Sequence, residues 1–230
     1  MLAQNDLLVT IAQQLSERPI LSEVVQGFRE TELYKTGSYD DNNLPTYLSE
    51  IILRILLKKA SAGLEDRIVF NPIPNGRRAD GYTFRHLPFK GKLGIFLGDG
   101  TSYTEVDEVL LVDGLASVFE IRIANYYSKK RYSTGSKRRP WDRENRPRGS
   151  MGVKHALKME RINHLLRPFV TYFRSNCGYV FVIGKEQFRQ DISTTQLEFA
   201  RHGGILVPFY TDVRTYREIE VPRIRQEYGI

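Results

Sequence analysis

Apolar positions recur at two different periods along this chain, and the change of period divides it into elements. Leu7, Leu8, Ile11 and Leu15 stand three or four residues apart, as on one helix face, and Pro19 ends that run. A second short helix is predicted from about Leu21 to Phe28, and the polar stretch SYDDNN at 38–43 reads as a loop. Leu44–Ala60 is the next helix. Pro45 suits its first turn, and Leu48, Ile51, Ile52, Ile55 and Leu56 make its buried stripe. Between 67 and 97 the pattern turns β-like, as RIVF, GYTF and LGIFL, with Asn75-Gly76 marking a turn. The stretch 104–124, TEVDEVLLVDGLASVFEIRIA, holds two apolar runs, Val109–Val112 and Ala116–Ile123, on either side of Asp113-Gly114.

Helical spacing returns over 151–174, through Ile162, Leu165, Leu166, Phe169, Val170 and Phe173, with Pro168 predicted to kink or split the helix. GYVFVIG at 178–184 is a continuous apolar run, as expected of a strand covered on both faces. Asp191–Arg201 reads as a helix and GILVPFY at 204–210 as another strand, whose Pro208 places it at a sheet edge or ends it there. A right-handed crossover is the default for this strand–helix–strand unit. The tail, 211–230, is charged and helical in part. The order of elements predicts an α/β fold around a mixed sheet flanked by helices. Residues 1–40 form an N-terminal helical extension, and 41–230 a single α/β domain. We see no internal repeat.

Charge changes the picture at one place. Residues 126–150 hold nine basic residues: Lys129, Lys130, Arg131, Lys137, Arg138, Arg139, Arg143, Arg146 and Arg148. Only Asp142 and Glu144 oppose them, so this segment alone carries the chain's entire formal net charge of +7. Concentrated positive charge is the footprint expected for nucleic acid, and Tyr126, Tyr127, Tyr132 and Trp141 are placed to stack on exposed bases. A solvated loop without a partner is the plain alternative. A globular core follows from 41% apolar residues and 11% aromatics. With a single cysteine, Cys177, there is no internal disulfide, and a buried inert thiol is expected. The N-terminus lacks the basic region and apolar core of a signal peptide, and no apolar run approaches the roughly 20 residues that cross a bilayer. A soluble, intracellular protein is expected, with no membrane partner.

The candidate chemistry lies in 104–124. Alternate residues of a strand share a face, so Glu120 and Arg122 project together, and Glu105 and Asp107 do so on the neighbouring strand. If the runs pair as a hairpin, carboxylates converge beside a fixed cation. Such oxygen ligands suit Mg²⁺ or Mn²⁺, and metal-assisted attack on a phosphodiester follows from that. A strand-end ion pair between Glu120 and Arg122 is the alternative. Asp80 is a second possible metal position, ranked below Asp107 because no Glu-x-Lys or Glu-x-Arg follows it at the right distance. LGDGTS at 97–102 lacks the Lys-Ser/Thr of a phosphate-binding loop and reads as a hairpin turn. His86, His155, His164 and His202 show no zinc spacing with each other or with Cys177.

Asp107, twelve residues, then Glu120-x-Arg122 across two apolar strands resembles the PD-(D/E)xK nuclease superfamily. Within it, the spacing is most similar to archaeal Holliday-junction resolvases and related nucleases of archaeal viruses and plasmids. The resemblance is firm over about 104–124, extends as element order from about 44 to 210, and leaves out the first 40 residues. It implies a restriction-endonuclease-like fold and a Mg²⁺- or Mn²⁺-dependent DNA endonuclease, acting on duplex or branched DNA as a homodimer, in a host cytoplasm if the source is viral. Asp107 and Glu120 would be metal ligands, with Glu105 or Glu50 as further acids; the resolvases place an acid on an early helix. The basic segment, with Lys129, Lys130, Arg131, Lys137, Arg138, Arg139, Arg143 and Trp141, would grip DNA. Arg122 departs from the family's lysine. Arginine stays protonated and cannot act as a base, though its forked donors can steady a phosphate. Lys154 or Lys158 could supply the missing lysine, although a solvated helix face is the plainer expectation. For Glu50 the plainer expectation is an exposed pair with Arg54 one turn on. A catalytically degenerate DNA-binding protein on the same fold, or an RNA-binding or assembly protein, are the other functions open to this sequence.

Overall fold

The structure, a computed structural model, describes residues 21–40, 42–63, 65–87, 91–123, 151–170, 172–173, 178–183, 192–209 and 215–229. The first predicted helix, Cys177 and the whole basic segment, including Lys129, Lys130, Arg131, Lys137, Arg138, Arg139, Trp141 and Arg143, lie outside the described residues. The described residues form a mixed α/β fold with two sheets.

Among the described residues three helices come first: α1 (Leu21–Arg29), the single turn α2 (Glu32–Lys35) and α3 (Leu44–Ala60). α3 starts where the sequence places it, after Asn43 and with Pro45 in its first turn. Lys58 and Lys59 sit in the last turn, where exposed carbonyls favour cations. Nine strands follow, interrupted by helices: β1 (Ile68–Phe70), β2 (Arg77–Ala79), β3 (Tyr82–Leu87), β4 (Lys92–Leu97), β5 (Ser102–Val106), β6 (Glu108–Val112), β7 (Leu115–Ile123), α4 (Met151–Leu166), β8 (Tyr179–Ile183), α5 (Ile192–Arg201) and β9 (Ile205–Phe209). A π-helical turn at Thr215–Glu220 runs into α6 (Val221–Tyr228).

The main sheet has the order β1-β6-β7-β8-β9, antiparallel from β1 to β7 and parallel from β7 to β9. The β6–β7 hairpin closes through two residues of positive φ, Asp113 at 51° and Gly114 at 77°. That is the conformation for which an Asp-Gly pair is suited in a two-residue hairpin turn. β9 is an edge strand, consistent with its Pro208. Parallel pairing brings Gly178, at the head of β8, against β7. Its φ is +73°, and a Cβ there would stand 2.3 Å from the Val118 carbonyl oxygen, so the approach requires glycine.

β2 to β5 make a separate antiparallel sheet. This corrects the single strand expected through Glu105 and Asp107. The chain leaves the second sheet after Val106, bends at Asp107 and enters the main sheet at Glu108. The helical segment expected over 151–174, with a kink or split at Pro168, ends before that proline. α4 stops at Leu166, because Pro168 cannot continue it, and Phe173 instead forms a parallel bridge with Ala116.

Alternation along β7 divides the core in two. Phe119 and Ile121 join Leu110 in a cluster with α3, α1 and α6, through Leu48, Ile52, Val24, Phe28, Val221 and Ile224. Val118, Ala116 and Val109 face the other way, into a cluster with α4 and the buried face of the second sheet, through Met159, Ile162, Phe84 and Leu93. Val24, Val25 and Phe28 of α1 thus lie in the same core as α3. No described helix is long and apolar enough to cross a membrane.

Candidate functional site

Around the bend at Asp107 six elements come together, and each delivers charge. α3 contributes Glu50 and Arg54, β4 Lys92, β5 Glu105, β6 Glu108, β7 Glu120 and Arg122, and α4 Lys158. Most of these groups are buried: Asp107 is 3% exposed, Glu120 1% and Lys92 8%. Burying charge costs several kcal/mol per ion unless it is paired and hydrogen-bonded, and here it is both.

The centre is the Lys92 ammonium. It stands 2.6 Å from Glu50 Oε1, 2.8 Å from Asp107 Oδ1 and 4.0 Å from Glu105 Oε2. The other Asp107 oxygen accepts the Ile121 backbone N–H at 2.8 Å, which ties the bend to β7. Glu120 is held separately. Lys158 Nζ stands 2.7 Å from its Oε1 and also donates to the Glu105 carbonyl at 3.3 Å, while the Arg122 guanidinium pairs with Oε2. On the opposite face of the main sheet, Arg54 Nε lies 3.6 Å from Glu108 Oε2.

These surroundings split the carboxylates into two electrostatic kinds. Burial pushes Glu50 up to about 7, with the pull of Lys92 too weak to offset it and the nearby Asp107 charge adding to it. Glu108 is likewise pushed up by burial to about 7, against the pull of Arg54. For Asp107 burial also acts upward, but Lys92, Arg122 and the Ile121 N–H overcome it and hold the carboxyl well below the usual range. Lys92 is the counterpart: burial lowers its pKa, and Asp107 and Glu50 more than reverse this, so the ammonium is held protonated.

The sequence-predicted residues are therefore in one place, but not grouped as expected. Asp107 keeps company with Glu50 and Glu105 around Lys92, whereas Glu120 is gripped by Lys158 and Arg122. The expected exposed Glu50–Arg54 pair is corrected: Glu50 is 5% exposed and bonded to Lys92. The expectation of a solvated face for Lys158 is also corrected, since it reaches Glu120; the side chain of Lys154 lies outside the described residues. Asp80 sits exposed in the β2–β3 turn, away from the cluster, and LGDGTS is the β4–β5 hairpin turn. Of the described histidines, His86 bonds the Ile73 carbonyl and His202 pairs with Glu160.

Sequence reasoning missed Lys92 and Glu108. Lys92 precedes the apolar run LGIFL with no partner acid nearby in sequence. Only the pairing of β4 with β5, which sets Gly94 beside Glu105, reveals that its face is acidic.

The donor set fits a hard divalent cation, because it consists of carboxylate oxygens and already converges on a positive charge, that of Lys92. Glu50 and Asp107 would hold such an ion at that point, with Glu105 adjacent. As the side chains stand, no group of three or more His, Cys, Asp or Glu among the described residues is arranged to hold a metal. Compared with protein-family models, curated proteins and solved structures, the chain matches none.

Proposed function

We propose that this protein is a metal-dependent endonuclease that hydrolyses DNA phosphodiester bonds. The observation that carries the reading is the convergence of Glu50, Asp107 and Glu120 from α3, the β5–β6 bend and β7, with Lys158 delivered from α4 onto Glu120. Three further features support it. The order α3, β1, β6–β7 hairpin, α4, β8, with β7 and β8 parallel, agrees with the restriction-endonuclease-like fold that the motif implies. The second sheet is then an insertion between β1 and β6. The early-helix acid expected from the resemblance has a candidate in Glu50, which faces the cluster. And Lys158 offers an ammonium beside the glutamate where Arg122 replaces the family's lysine.

In this reading water adds to phosphorus and releases one proton to solvent, the ester P–O bond breaks, and the departing oxygen takes up a proton. A bound divalent ion supplies Lewis-acid polarisation of the phosphate and a water of lowered pKa. Glu50 and Asp107 would hold that ion, and Glu120 orients Lys158 and Arg122. These two cations stabilise the negative charge that grows on the phosphoryl oxygens. Arg122 does so through its forked donors and needs no change of protonation. The basic segment 126–150, which follows directly on β7, supplies electrostatic grip on the backbone.

One observation favours a second reading, a DNA-binding protein without catalysis: Lys92 already pairs with both Glu50 and Asp107. Incubating labelled duplex, single-stranded, flap and four-way-junction DNA with Mg²⁺ or Mn²⁺, beside Glu120→Ala, separates the two. Cleavage that disappears in the variant is the expected result. Cleavage unchanged by Glu120→Ala overturns the assignment of the site, and binding without any cleavage by the parent chain selects the second reading.

A further inference from the structure

The second sheet has two unlike faces. Phe84, Leu93 and Ile95 point into the core with α4. Alternate and cross-strand-paired residues share a face, so the opposite face carries Thr83, Arg85 and Leu87 of β3 with Lys92, Gly94 and Phe96 of β4. The register sets Arg78 beside Thr83, Thr83 beside Phe96, Arg85 beside Gly94, and Gly94 beside Glu105. One end of this face is thus the carboxylate site itself, through Lys92 and Glu105. The face then runs outward to Arg85 and Arg78, both exposed.

Two details mark this as a shaped surface. A Cβ on Gly94 would lie 2.7 Å from the Phe96 ring and 3.1 Å from Leu87, so glycine is what lets the ring lie flat on the sheet. The Arg85 guanidinium rests over that ring, 5.2 Å from its centroid, an arrangement that restrains the side chain without neutralising it. Among the described residues neither Arg78 nor Arg85 has a carboxylate partner, unlike the cations of the site. Arg78 pairs with Thr83, two residues from Arg85, so the two arginines are diagonal cross-strand neighbours, about 7 Å apart at their Cα atoms, comparable with the step between successive phosphates of an extended strand.

We propose that the exposed part of this face of the second sheet, at Arg85 and Arg78, is the track for the phosphodiester backbone of a DNA strand, the two arginines taking phosphates beyond the one at the carboxylate site. This inference rests on the nuclease reading for its choice of ligand. Charge complementarity and continuity with the site both favour it.

The test is the affinity of the full chain for fluorescently labelled single-stranded DNA, measured by anisotropy in EDTA over a series of salt concentrations. The chain carrying Arg78→Gln and Arg85→Gln is compared with one carrying Lys35→Gln and Arg223→Gln, which removes equal charge elsewhere. Each lost phosphate contact lowers the slope of log affinity against log salt by about 0.7. The track predicts a fall of about 1.4 for the first variant and none for the second. An unchanged slope, or an equal fall in both, overturns it. Should the double variant fail to fold, the two single variants are measured, each expected to lose about 0.7. A cleavage assay on the same proteins keeps the two proposals apart. A reduced slope with no cleavage by the parent leaves the track standing and sinks the nuclease; cleavage with an unchanged slope does the reverse.

Discussion

Lys92 sets the electrostatics of the site. Its ammonium contacts both Glu50 and Asp107, at 2.6 and 2.8 Å, so one cation bridges the two buried acids. A divalent ion that binds there must take over those oxygens. Lys92→Met should therefore behave in two ways at once. In EDTA the variant loses roughly 3–5 kcal/mol, the usual cost of leaving a buried charge unpaired. With Mn²⁺ it regains stability more steeply than the parent, because the ion no longer competes with an ammonium; binding at a hundred times its Kd contributes about 2.7 kcal/mol. Thermal melts across a Mn²⁺ titration check this, and equal Mn²⁺ affinity in parent and variant would show that Lys92 does not occupy the cation point. Glu108 gives a second handle. It faces Arg54 and Lys58 of α3, with Asp107 beside it and the Val109 N–H on its own strand. Its folded pKa of about 7 lies above the ordinary 4.5, so the folded state holds a proton that the unfolded chain has released. Stability from this group is present below 4.5 and is lost as pH rises to about 7, at about 1.4 kcal/mol per pH unit. Glu50 acts in the same direction over the same window. Glu108→Gln should flatten the decline between pH 5 and 7 in chelator-containing buffer, and denaturant melts showing an unaltered pH slope would refute it.

At the scale of elements, strong local signals were legible and sheet membership was not. α3 carries a long apolar stripe, a proline at its start and lysines at its end, and its limits agree with the pattern to the residue. The β6–β7 hairpin was equally plain, because Asp113-Gly114 is among the few pairs that accept two successive positive φ angles. The break between β5 and β6 left no comparable signal. Val106, Asp107, Glu108 and Val109 alternate in no way that separates one strand from two. Only the pairing partners decide, since β5 pairs with β4 and β6 with β1 and β7. That is also why the site was half visible. Asp107 and Glu120 could be chosen from their spacing across a hairpin, which is local. Lys92 and Lys158 reach the site through contacts 15 and 38 residues away in sequence, to Asp107 and Glu120, which no periodicity encodes.

For the whole molecule, the position of the site depends on the two sheets acting as one body. Asp107 belongs to neither sheet. It is fixed by Lys92 from the second and by the Ile121 N–H from the main one. The cluster that includes Phe84, Leu93 and Tyr103 of the second sheet also includes Val109 and Val118 of the main sheet and Met159 and Ile162 of α4. Neither sheet can part from α4 without exposing apolar surface of the other, at roughly 25 cal/mol for each Å². Unfolding should therefore be a single transition: far-ultraviolet circular dichroism, which reports helix and strand, and near-ultraviolet circular dichroism, which reports tyrosines such as Tyr82 and Tyr103 in the second sheet, should give coincident denaturant curves. An earlier near-ultraviolet transition that is lost in a Tyr82→Phe, Tyr103→Phe variant would mean that the second sheet detaches on its own, and the cation point at Lys92 would then come apart before the main sheet melts.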